Sequence, residues 1–126
     1  ETKDIYVLSK HERNIGIYVA RYPQSTSTLI TLEKLGTMPY YNTVAIDITS
    51  DGQEIISKTY DQVFYWKRGN SSIPELLMSK PESVPYKIEP QGESIAWKRD
   101  GSGFFTLSEE RAGIEAILYF YARASK

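Results

Sequence analysis

The chain has 126 residues, 15 basic and 16 acidic side chains, a net charge of −1 and no cysteine. That length suffices for one ordinary domain with a real core, and the scattered Lys and Arg leave no basic face for a nucleic acid. Without cysteine there are no disulfides, thiol nucleophiles or Cys-ligated zinc, and no apolar stretch approaches a membrane span.

Period-two alternation with β-branched and aromatic residues dominates, and helical periodicity is nearly absent. The pattern predicts a strand over 5–9 (IYVLS), its antiparallel neighbour over 15–21 (IGIYVAR), and a third, more polar strand over 28–35 (TLITLEKL) suited to a sheet edge. A new unit opens after Gly36 and the turn-like Met38-Pro39-Tyr40. Residues 44–49 (VAIDIT) read as a buried strand, and Ser50-Asp51-Gly52-Gln53 as a hairpin turn in which Gly52 is free to take φ > 0. Residues 54–59 and 62–68 (QVFYWKR) continue the sheet. Ser72 and Glu75 have capping-box spacing and Pro74 suits a first turn, which predicts one or two turns of helix. An outer strand follows over 83–88, with Pro85 tolerable only at an edge. The last unit has strands over 93–97, 104–108 and 116–123, with a turn at Asp100-Gly101.

The units repeat. Asp100-Gly101 falls 49 positions after Asp51-Gly52, and YVAR, YWKR and YFYAR each place arginine after an aromatic segment. A strand-built period near fifty is the signature of a β-propeller blade. The chain therefore reads as all-β, about two and a half four-stranded antiparallel blades: a fragment over 1–36, a complete blade over 37–88 and a fragment over 89–126. The first unit lacks its innermost strand and the third its outermost, whereas a closed propeller takes about four or more blades. The missing strands are expected from a second polypeptide, either a processed sibling chain or a symmetry mate. The competing architecture is a small self-contained β-sandwich. A start at Glu1, with no initiator Met, fits a mature product, a processed fragment or an excised piece.

In antiparallel blades the inner strand starts and the second strand ends on one face. Matching the second strands makes Lys10, Tyr60 and Glu109 equivalent, and the inner-strand starts add Glu93 and Tyr41, with Asp47 further along. These six residues are the candidate ligand-binding rim. Glu93 and Glu109 offer oxygen ligands for a hard cation such as Ca2+, or an acid and base for hydrolysis. The opposing reading pairs Glu109 with Lys10 or Arg111 as buried ion pairs, and Asp47 is either a channel ligand or an anchor between blades. His11, the only histidine, reads as an exposed loop residue outside any triad. The recurring aromatic-Arg endings and most of the ten tyrosines read as blade packing, with Arg stems over rings. Asn70-Ser71-Ser72 is an N-glycosylation sequon in a loop.

The phrases Glu89-Pro90-Gln91-Gly92-Glu93, Leu107-Ser108-Glu109 and Asp47-Ile48 followed by Asp51-Gly52 resemble those of an uncharacterised family of secreted β-propeller proteins of bacteria and invertebrates such as molluscs. The resemblance covers nearly the whole chain and implies a propeller with further blades ahead of this segment, working outside the cell. More distantly, the glutamate after Gly92 and the Leu-Ser-Glu phrase are similar to calcium-dependent phytase and esterase-like propellers, although their full acidic constellation is not among these residues. The resulting expectation is a secreted binding or structural propeller assembled from this chain and at least one other. Its alternatives are a calcium-type phosphate or carboxylic ester hydrolase and a small-molecule or pigment carrier.

Overall fold

Two turns forty-nine residues apart adopt the same geometry in a computed structural model of the protein, which describes residues 2–10 and 13–124. Asp51 Oδ1 accepts from the Gln53 amide at 3.0 Å, and Asp100 Oδ1 accepts from the Ser102 amide at 2.9 Å. The Gly52 amide donates to Thr49 O and the Gly101 amide to Lys98 O, each at 2.8 Å. The two glycines have φ of 71° and 70°, a left-handed conformation that costs an L-residue roughly 1–2 kcal/mol. Each turn closes a hairpin between the first and second strands of a sheet.

Among the described residues the chain forms three separate antiparallel sheets and one helix. The first sheet holds β1 (Ile5–Leu8), β2 (Ile15–Ala20) and β3 (Glu33–Met38) in that order. The second is a four-strand meander of β4 (Ala45–Ile48), β5 (Glu54–Lys58), β6 (Val63–Lys67) and β7 (Glu82–Val84). The third runs β8 (Gly92–Trp97), β9 (Gly103–Ser108) and β10 (Tyr119–Ala122). Between β6 and β7 lies α1 (Ile73–Met78), with Pro74 in its first turn and the Ser72–Glu75 capping box fully formed, as the spacing predicts.

One expected strand is displaced. The alternation over 28–35 predicts pairing there, but β3 begins only at Glu33 and runs through Gly36 to Met38. Its apolar anchor is Met38, which is sealed in the core, whereas Leu29 is fully exposed. Burial of Met38 selects the register, and the first unit consequently ends beyond Gly36. The outermost strand β7 shrinks to Glu82–Val84 because Pro85 has no amide to extend the ladder.

Two cores lie between the sheets. Ile15, Ile17 and Met38 of the first sheet meet Ile55 and Trp66 of the second, with Ile73, Leu76 and Leu77 of α1 closing the cluster. Ile56 and Val63 of the second sheet meet Ile95 and Phe104 of the third. Alternation along β5 thus sends Ile55 to one core and Ile56 to the other. Five of the ten tyrosines pack against these cores, Tyr6 and Tyr40 on the first and Tyr65, Tyr86 and Tyr121 on the second, while Tyr22 and Tyr41 are exposed.

The recurring arginines have a structural task. Arg68 Nη1 donates to Gly52 O at 3.3 Å, and Arg123 Nε donates to Gly101 O at 3.0 Å, each bracing the turn of its own sheet. Only partly does the expected ring stacking occur: Arg123 lies 5.3 Å from the Trp97 ring centroid. Arg123 also pairs with Glu54 of the second sheet, and this hydrogen bond holds the Glu54 carboxyl below its usual range. Arg21 instead bridges Asp4 and Glu33, each at 3.1 Å, within the first sheet.

Gly52→Ala and Gly101→Ala are each expected to lower stability by about 1 kcal/mol through the φ > 0 requirement. Because the sites lie in different sheets, the losses should add in the double variant. Urea midpoints of the three proteins test this, and an unchanged midpoint in either single variant would remove the turn from the account.

Candidate functional site

Chain direction alone brings the ends of β1 and β5 and the start of β8 to the same end of their sheets. Lys10 follows β1, Tyr60 follows β5, and Glu93 is the second residue of β8. Their side chains meet. Lys10 Nζ donates to Glu93 Oε1 at 2.8 Å, the Tyr60 hydroxyl donates to the same oxygen, and Lys10 Nζ stands 5.5 Å from the Tyr60 ring centroid. The hydrogen bonds to Glu93 and then to Tyr60 raise the Lys10 pKa above the ordinary lysine value, so the group is an ammonium ion at neutral pH. Three sheets therefore contribute one side chain each to a half-buried cluster.

Beside it opens a cleft of about 490 Å3 that includes Tyr40, Tyr41, Asn42, Tyr60, Asp61 and Gln62. Tyr41 is exposed there, and Asn42 holds a left-handed φ of 56°, an unfavourable backbone state for a residue with a side chain. Aromatic faces with amide and carboxylate groups suit a small polar ligand.

Asp47 lies away from the rim, and Glu109 shares the rim end of the third sheet without joining the cluster. Asp47 accepts the Trp97 amide at 2.7 Å and the Ile48 amide at 2.8 Å, which makes it an anchor between β4 and β8. Trp97 closes β8 at its turn end, so about 13 Å of strand separates this anchor from Glu93. The Glu109 amide donates to Gln91 O at 3.0 Å, but its side chain is exposed and makes no ion pair among the described residues. Lys10 pairs with Glu93 instead, and Arg111 donates to Gln91. Among the described residues no group of three or more His, Cys, Asp or Glu side chains could hold a metal ion. With Lys10 on Glu93, the donor set at this rim does not suit Ca2+, which takes six to eight oxygens. His11 lies outside the described residues. Asn70 is exposed at a turn, open to a glycan.

Beneath the rim sits a pair that the strand alternation alone did not single out. The Lys58 side chain is 0% and the Glu89 side chain 1% exposed, with Nζ and Oε2 3.2 Å apart. The angles of that contact fall outside hydrogen-bond geometry, leaving Nζ and Oε2 ion-paired without a hydrogen-bond partner among the described residues. Nζ lies 4.2 Å from the Tyr86 ring centroid, and Thr106 Oγ1 donates to Glu89 Oε1 at 2.8 Å. Burial pulls the Lys58 pKa down, partly offset by Glu89. Burial, then Glu89, pushes the Tyr86 phenol up to about 12, so its hydroxyl stays protonated and donates to Tyr60 O at 2.5 Å. Gly92 leaves the necessary room: a Cβ there would lie 2.6 Å from Lys58 Nζ and closer still to Glu89 Oε2. The legible signal was Lys58 itself, a charged residue two positions after Ile56 on a core-facing stripe. Such a lysine requires a buried counter-ion.

The chain matches no protein-family model, no curated protein and no solved structure. Among the described residues no helix is long and apolar enough to cross a membrane.

Removing one member of a buried ion pair strands the other, at a cost of about 3–5 kcal/mol. Lys58→Met and Glu89→Leu are each expected to destabilise the protein by that much. The double variant should recover most of the loss, since two apolar side chains carry no desolvation penalty. A denaturant-based double-mutant cycle checks this, and simple additivity would mean that the two groups do not depend on one another.

Proposed function

We propose that the three sheets are consecutive blades of an extracellular β-propeller, completed by a second polypeptide, which binds a small polar ligand at the Lys10–Tyr60–Glu93 rim. The observation that carries this reading is how the second and third sheets meet. Their first strands β4 and β8 pack side by side, whereas their outer strands β7 and β10 stand across a cleft of about 630 Å3. Strands close at one edge and apart at the other are what blades around an axis require. The matched turns at a 49-residue offset and the shared bracing arginines support a repeated unit.

Two exposed regions support the second polypeptide. On β1, Ile5 and Val7 are 54% and 39% exposed, while Ile55 and Ser57, their counterparts one unit later, are 1% and 0% exposed. On the far side, Leu107 and Phe120 of the third sheet are likewise exposed. Apolar surface of this kind on both flanks marks interaction faces. The resemblance to secreted propellers agrees with extracellular placement, as does an exposed sequon at Asn70.

In this reading the rim recognises rather than hydrolyses. Lys10 supplies a fixed positive charge, Tyr60 and Tyr41 supply aromatic faces, and the cleft beside them supplies amide and carboxylate groups. Native material should yield a second polypeptide that co-purifies and is seen by intact mass, in a disc-shaped particle. A compact monomer of this chain's mass alone would overturn the assembly. Calcium and a chelator should both leave the melting temperature unchanged and model esters uncleaved. A calcium-dependent rise in melting temperature would instead restore the metal-assisted hydrolase.

A further inference from the structure

Hydrogen bonding alternates along an antiparallel strand, so each residue addresses either one neighbour or the other. The Ser9 amide donates to Gly16 O at 3.0 Å, which directs the backbone groups of Ser9, Val7 and Ile5 at β2. Tyr6 and Leu8 therefore present theirs to the opposite edge, where no described strand lies. One unit later the equivalent edge is filled. The Thr59 amide donates to Gln62 O at 2.9 Å, as Ser9 does to Gly16 O, while β4 reaches the other edge of β5 through Thr49 N–H to Glu54 O at 2.9 Å and Val44 N–H to Lys58 O at 2.8 Å. In the third sheet β8 fills the same edge of β9.

The open edge of β1 adjoins a groove. It has a volume of about 180 Å3 and its lining includes Asp4, Tyr6 and Leu8, Ile46 to Ile48 of β4, and Ile73 and Leu77 of α1. Of the other edge strands, β10 is uncharged like β1, but two are blunted. β3 carries Glu33 and Lys34, and β7 carries Glu82 and stops at Pro85, all of which oppose further pairing. β1 reads Ile-Tyr-Val-Leu, with nothing to block a strand.

We infer that the β1 edge receives an extended segment of the second polypeptide as an antiparallel strand, seated in the groove between β1 and β4. The inference rests on the propeller reading and specifies the partner's chemistry. The pairings of the other two sheets define it. Opposite Lys58 and Ile56 stand Ala45 and Asp47, and opposite Leu107 and Phe105 stand Ser94 and Ala96. Opposite Ser57 and Ile55 stand Ile46 and Ile48, and opposite Thr106 and Phe104 stand Ile95 and Trp97. The incoming strand thus carries small or short polar residues facing Leu8 and Tyr6 and large apolar residues facing Val7 and Ile5. Backbone pairing supplies the attachment and this alternation supplies the register.

The probe is a synthetic peptide with the sequence of residues 43–53, Thr-Val-Ala-Ile-Asp-Ile-Thr-Ser-Asp-Gly-Gln, added to the chain and followed by amide hydrogen exchange. The Tyr6 and Leu8 amides should slow by at least about tenfold, while a peptide with Ala45 and Ile46 interchanged leaves them unchanged. As a second measurement, the same eleven residues replace residues 1–3, which places their turn where β1 expects one. That variant should melt higher than the parent, and its interchanged counterpart should not. Slow exchange at Tyr6 and Leu8 in the free monomer would overturn the inference, as would equal effects of both peptides or a β1–β1 dimer. So would no effect in either arm. Strand addition without a disc-shaped particle in native material would sink the propeller alone. A disc whose Tyr6 and Leu8 amides still exchange freely would sink the strand alone.

Discussion

The Lys58–Glu89 ion pair is the contact on which the candidate site depends. Two charges taken fully out of water cost several kcal/mol each, and their attraction offsets this only when the surroundings are well fitted. The protein supplies that fit from three directions. Thr106 of β9 donates to Glu89, the Tyr86 ring lies against the ammonium, and Gly92 offers no Cβ to intrude. Each of these groups belongs to a segment that the pair then holds. Tyr86 reaches the carbonyl of Tyr60, and Gly92 immediately precedes Glu93. The rim cluster of Lys10, Tyr60 and Glu93 is therefore built on a buried electrostatic tie between the second and third sheets.

The rest of the architecture follows from one unit used repeatedly with different partners. Asp-Gly turns braced by a distal arginine give the β4–β5 and β8–β9 hairpins the same shape. Alternation along the second strand then sends one set of side chains to the preceding sheet and the other set to the following sheet. Where both neighbours are present, as for β5, both faces and both edges are covered. Where the described residues supply no neighbour, as for β1, the same pattern leaves Ile5 and Val7 in solvent and two backbone positions facing a groove. A hydrophobic, unblunted edge is a hazard when exposed, which is why covering it becomes part of the proposed function.

Strand order, turn chemistry and the capped helix were legible because each is governed by local spacing: period two, Asp-Gly, and Ser72 three residues before Glu75. The juxtaposition of Lys10, Tyr60 and Glu93 was legible for a related reason, since antiparallel order dictates which strand ends share a side. What was misplaced depended on side-chain reach and competition. Asp47 sits in an apolar strand whether it lines a site or anchors a neighbour, and only the position of the Trp97 amide separates the two. Glu109 occupies the position equivalent to Tyr60, yet Lys10 found Glu93. The start of β3 could not be read from alternation because residues 28–35 alternate as well, and burial of Met38 selected the later register.

By itself the sequence determined an all-β chain of repeated hairpins, its Asp-Gly turns, and which strand ends share a side, because hydrogen-bond periodicity and φ preferences act over a few neighbouring positions. Tertiary structure alone decided that Lys10 would pair with Glu93 and that Lys58 and Glu89 would be sealed together. Those outcomes are settled by desolvation and packing between sheets, forces that act across dozens of residues of chain and mark local spacing only at Lys58, a charge on a core-facing stripe.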